Sequence, residues 1–124
     1  MKKTGRPVSP HVTIYAFPAV ALSSITNRVT GCVLSFGAAG VGGVELLFGS
    51  GTTLSLMQDI AAISVLGPAT KFGVSFSFVY HYIAAIRHLS WDDKPDYLTN
   101  ETVEKSSYIL LGSSLFVTGI CMCL

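Results

Sequence analysis

His81 and His88 stand seven residues apart at the end of an apolar stretch long enough to cross a bilayer. Seven residues is close to two helical turns, so the spacing predicts that both imidazoles and the adjacent Arg87 serve one side of a helix. Ionisable groups at membrane depth are costly, and they mark a cofactor, an ion path or a partner helix. Imidazole nitrogen beside a guanidinium suits haem, with the nitrogen for the iron and the cations for the propionates. A metal–imidazole bond is about 2 Å, so two axial ligands lie roughly 4 Å apart across the ring. Histidines seven residues apart on one helix are separated by about 10 Å. A six-coordinate haem would therefore take its second ligand from another chain.

A second polar group opens the first apolar segment. Ser24 and Arg28 form an i,i+4 pair, with Asn27 beside Arg28 and three residues from Ser24. If consecutive spans run antiparallel, these residues share a leaflet with Arg87 and His88, and His81 lies deeper. Taken singly, most have a plainer use. Arg28 suits snorkelling to headgroups, Ser24 suits a bond to its own helix backbone, and Arg87 and His88 suit an interface. His81 is different, because apolar residues separate it from the interface in both directions. His11, in a polar arm, reads as a packing or contact residue.

Composition dictates what must position these groups. Half of the 124 residues are apolar and 12% are charged, about half the charge usual for a soluble domain. The net charge of +1 offers no basic run for nucleic acid. Cys32, Cys121 and Cys123 lie in apolar segments without the further Cys or His that a zinc site needs. Met1 to Arg6 is basic, but Pro7 and Pro10 break the residues directly after it, so no secretory h-region is expected.

Along the chain, residues 1–22 read as an arm punctuated by Pro7, Pro10 and Pro18. Residues 23–124 read as an all-α membrane anchor with three spans, at about 25–48, 68–89 and 107–124. Gly49 to Thr53 predicts a turn, and Leu54 to Leu66 is too short and polar to span, so an interfacial helix or a lead into the second span is expected. Gly31, Gly37, Gly40, Gly42 and Gly43 in the first span suggest a helix-packing face. Trp91 to Lys105 reads as a charged connector. Lys2, Lys3, Arg6, Arg87, Lys94 and Lys105 all lie on the arm or at this connector. The positive-inside bias places the N-terminus on the cytoplasm-like (mitochondrial matrix) side and the C-terminus opposite.

Four motifs resemble the large cytochrome b membrane-anchor subunit of mitochondrial-type succinate dehydrogenase (complex II). They are Arg6-Pro7-Val8-Ser9-Pro10-His11-Val12-Thr13-Ile14-Tyr15, Ser24-Ile25-x-x-Arg28-x-Thr30-Gly31, Gly67-Pro68-x-x-Lys71-Phe72-Gly73, and Tyr80-His81 with Ile86-Arg87-His88-Leu89-x-Trp91-Asp92 after it. The resemblance covers residues 6–92 and implies roles residue by residue. His81 would be the axial ligand of haem b, with a small cytochrome b anchor subunit supplying the other. Ser24 and Arg28 would line the site of ubiquinone or a related quinone. Asn27, Arg87 and His88 would lie near the haem propionates, and the arm around His11 and Tyr15 would dock on soluble subunits. An iron–sulfur subunit and an FAD-carrying flavoprotein subunit would complete the assembly in the mitochondrial inner membrane, dicarboxylate chemistry belonging to the flavoprotein. Two positions depart from the family pattern: Asn27 stands where histidine is common, and Ala85 where glycine is common. Asn27 can hydrogen-bond but cannot carry a proton charge. Other readings of the same residues are a quinol:fumarate reductase running the reverse reaction, a haem-free structural anchor, and a small transporter using His81 and Arg87 as a relay.

Overall fold

The computed structural model describes Gly5, Pro7 and residues 9–124. Lys2, Lys3 and Arg6, the arm cations used for orientation, lie outside the described residues. Within those described, the chain forms helices α1 (His11–Ile14), α2 (Ala19–Phe48), α3 (Thr52–Ala62), α4 (Leu66–Asp93) and α5 (Asn100–Cys123), with a 3-10 turn at Pro95–Tyr97 and no strand.

The arm is less extended than its prolines suggest, because Pro10 precedes the single turn α1, where Thr13 Oγ1 bonds the Pro10 carbonyl (2.8 Å). Helix α2 starts six residues before the expected Ile25. Pro18 is the cause: in extended backbone (φ −69°, ψ 153°) it sits just ahead of the first helical residue, where a missing N–H costs nothing. The helix ends at Gly49, whose φ of 96° suits glycine far better than any side-chain-bearing residue.

Glu45, the anion near the end of α2, acts as a clasp. Its carboxylate accepts the backbone N–H groups of Gly51 and Thr53, each at 2.8 Å. Those amides belong to the start of α3, so one side chain both satisfies orphan donors and places negative charge at the positive end of a helix. Between α3 and α4 the chain bends by 118°. Gly67 permits the bend, since a Cβ there would lie 2.6 Å from the Ala61 carbonyl oxygen.

Helix α5 starts at Asn100, well before the expected 107. The acidic stretch read as connector is its first turns: Thr99 Oγ1 accepts the Thr102 N–H (3.3 Å), and Lys105 pairs with Glu101 at 2.6 Å. Similarly, α4 runs past Leu89 to Asp93.

Helices α2, α4 and α5 pack together with α4 in contact with both others. The interior is small and rich in hydroxyls. Ser23, Thr30, Ser77, Ser107, Ser114 and Thr118 are buried with Tyr80, Ala84 and Leu110, whereas Phe36 (77% exposed), Leu46 (87%) and Ile109 (70%) face outward. Water would not tolerate that inversion; lipid or partner helices do. Several inner hydroxyls bond carbonyls of their own helix, as Ser114 Oγ does to Leu110 (2.7 Å). Helices α2 and α5 are each long and apolar enough to cross a membrane, and α3 with α4 qualifies as a bent pair. Of the glycines expected to form a packing face, Gly31 packs on His81, whereas a Cβ at Gly37, Gly40, Gly42 or Gly43 would meet nothing within 4 Å among the described residues.

Candidate functional site

Successive side chains on α4 point about 100° apart, which sorts its polar residues onto two faces. Tyr80 and Arg87, themselves seven residues apart, face inward. The Tyr80 phenol donates to the Ser23 carbonyl (3.0 Å). Arg87 donates from Nη1 to Ser107 Oγ (3.1 Å) and from Nη2 to Ser23 Oγ (3.4 Å), while its guanidinium lies 4.6 Å from the centre of the Trp91 ring. The two serine oxygens are 3.1 Å apart. Nε of Arg87 is buried with no partner among the described residues. Three helices thus meet on one arginine.

His81 and His88 lie on the neighbouring face, so Arg87 turns away from the imidazoles instead of joining them. The reason is helical phase: one residue of offset is more than a quarter turn. His81 Nδ1 is 3.1 Å from the Asn27 backbone carbonyl. A carbonyl only accepts, so Nδ1 carries the proton and Nε2 keeps a free lone pair. Gly31 supports the ring from beneath, since a Cβ there would come within 2.9 Å of Cε1. The Asn27 side-chain oxygen Oδ1 is buried without a partner among the described residues. His88 is exposed and meets the Trp91 ring edge-on at 5.1 Å.

Ser24 is half-buried and Arg28 exposed, and neither side chain bonds another described residue. They flank the strip of α2 formed by Asn27 and Gly31, next to the imidazole. Ala85 is exposed, so its methyl crowds nothing within the chain. Contacts thus tie His81 to Asn27 and Gly31, helical phase puts Ser24 and Arg28 on the same side of α2 as Gly31, and Arg87 bonds Ser23 and Ser107 instead. Sequence reasoning gave no role to Ser23 and Ser107, and it named Tyr80 only within a motif and Gly31 only as a motif and packing glycine. The Tyr80–Arg87 spacing, equal to that of the two histidines, was the available signal.

Small hydroxyl residues inside and large apolar ones outside define an all-helical membrane protein, in which His81 keeps one ring nitrogen unbonded among the described residues. The comparisons agree with the motifs: the chain belongs to the family of succinate dehydrogenase/fumarate reductase transmembrane subunits, whose model matches residues 2–121. It is 35% identical over 112 residues to the mitochondrial succinate dehydrogenase cytochrome b560 subunit of Dictyostelium discoideum, covering 90% of this chain and 58% of that protein. The subunit of the same name from Homo sapiens is 38% identical over 93 residues (72% of this chain, 54% of that protein). The succinate dehydrogenase cytochrome b556 subunit of Paracoccus denitrificans is 30% identical over 115 residues (93% and 88%). The chain thus spans little more than half the length of the two mitochondrial relatives.

Proposed function

We propose that this chain is the haem-carrying membrane anchor of a succinate:quinone oxidoreductase, a three-span protein of the mitochondrial inner membrane. The observation that carries the reading is the His81 Nδ1 bond to the Asn27 carbonyl. It fixes the tautomer and orientation of the ring and leaves Nε2 as the ligand atom, the arrangement typical of metal-bound histidine. Gly31, which a side chain would push into the ring, keeps that orientation open.

Bound haem b would supply one-electron redox capacity beside the quinone. His81 would hold its iron through Nε2, together with a residue of a small cytochrome b anchor subunit. The side-chain N–H of Asn27 and the exposed imidazole of His88 would donate to propionates, with Arg87 contributing positive charge from the interior side. Ser24 would donate a hydrogen bond to a quinone carbonyl, and Arg28 would favour negative charge developing on the ring oxygen. An iron–sulfur subunit would deliver electrons from a flavoprotein. Since every residue named here serves haem or quinone, the assignment holds whichever way the electrons run.

Difference spectroscopy tests it. The purified membrane complex should show a reduced-minus-oxidised haem b spectrum that His81→Ala abolishes. A spectrum unchanged in that variant would remove the central ligand and the proposal with it.

A further inference from the structure

Ser23 and Ser24 are neighbours on α2 with opposite fates. Ser23 is gripped from two other helices: Arg87 and Ser107 hold its hydroxyl, and the Tyr80 phenol holds its carbonyl. That carbonyl belongs to the peptide plane joining Ser23 to Ser24. Ser24 itself is half-buried and unbonded among the described residues, with Arg28 one turn further on.

The hydrogen-bond count shows what Arg87 adds. A serine hydroxyl has one proton. Ser23 Oγ lies 2.9 Å from the Val20 carbonyl and Ser107 Oγ lies 2.8 Å from the Val103 carbonyl, each within its own helix. If both protons are spent there, the two oxygens face each other as acceptors at 3.1 Å. The guanidinium supplies the donors that make the contact favourable, and its planar fork reaches both oxygens at once. Stacking on Trp91 holds that fork in place.

We infer that Tyr80, Arg87 and Ser107 form an interhelical clamp whose task is positioning: by locking Ser23 they set the rotation of α2, and with it the aim of Ser24 and Arg28 at the polar head of a quinone. This rests on the assignment of Ser24 and Arg28 made above. It gives Arg87 a role that acts through α2 and needs no contact with any ligand.

The test uses the assembled membrane complex and a short-chain ubiquinone, with rates normalised to dye-linked dicarboxylate oxidation. Tyr80→Phe removes one hydrogen bond and should raise the quinone KM about 3- to 10-fold with little change in kcat. In a Ser24→Ala background the same substitution should have a clearly smaller effect, because one of the two side chains it aims is gone. A purely structural role would instead give equal losses in both backgrounds. Ser107→Ala, which likewise deletes one hydroxyl, repeats the test should Tyr80→Phe not assemble. Equal losses in both backgrounds, or no change from Tyr80→Phe where Ser24→Ala raises KM, would overturn the clamp alone. No change from Ser24→Ala itself would overturn the quinone assignment on which it stands.

Discussion

The imidazole of His81 is tied to α2 through a main-chain atom: its Nδ1 is 3.1 Å from the carbonyl oxygen of Asn27. The partner is backbone, so the identity of the side chain at position 27 does not enter the bond. Asn27→Ala should therefore keep the haem of the assembled complex, whereas His81→Ala should lose it. Pyridine haemochrome content per complex measures both. Loss of haem from Asn27→Ala would show that the side chain, not the carbonyl, governs the ligand. A midpoint potential shifted with haem retained would place Asn27 beside a propionate.

Gly31 is the steric counterpart of that bond. Its Cβ, if present, would approach His81 Cε1 to 2.9 Å. Gly31→Ala should displace the ring at a cost of about 1–3 kcal/mol, typical of overpacking. The expected outcome is lower haem retention on dilution and a shifted midpoint potential, read by redox titration. Wild-type values for both would mean that the ring has room the structure does not indicate.

In the proposed assignment Ser24 and Arg28 serve quinone chemistry and not the dicarboxylate site. Ser24→Ala or Arg28→Ala should lower quinone-linked turnover about tenfold or more, the scale of losing a charge-stabilising donor, while dye-linked oxidation persists. Assaying both activities on the same membranes separates this from misassembly, which would lower them together.

Glu45 has a structural role at the opposite end of the bundle. Glu45→Gln keeps an acceptor for one of the Gly51 and Thr53 amides but loses the charge that suits the start of α3. The loosened clasp should show as faster proteolysis of residues 49–53 in membrane vesicles. Quinone kinetics should not change, because Ser24 and Arg28 lie at the other end of α2.

Most of the fold was legible in the sequence. The glycine and threonine run after Phe48 marked the first turn, and Gly67-Pro68 marked the second break. The helix starts were harder to read. Pro18 looks like a breaker and is in fact the residue from which α2 departs, and the charges of 100–105 look like a loop until Thr99 caps them and Glu101 pairs with Lys105. Within the site, His81 stood out because nothing apolar explains it. The choice between Ser23 and Ser24 could not be read, since it depends on the phase of α2, which its packing against α4 and α5 decides. The phase of α4 likewise turned Arg87 inward, away from the histidines with which its spacing had grouped it.

The most direct measurement is an electron cryomicroscopy map of the whole assembled complex at a resolution that shows side chains. We predict a porphyrin iron about 2 Å from Nε2 of His81, an ordinary metal–imidazole distance, with Nδ1 still on the Asn27 carbonyl and a second protein's ligand across the ring. A map with His81 facing acyl chains and no porphyrin beside it, or with Nδ1 on the iron, would contradict the assignment.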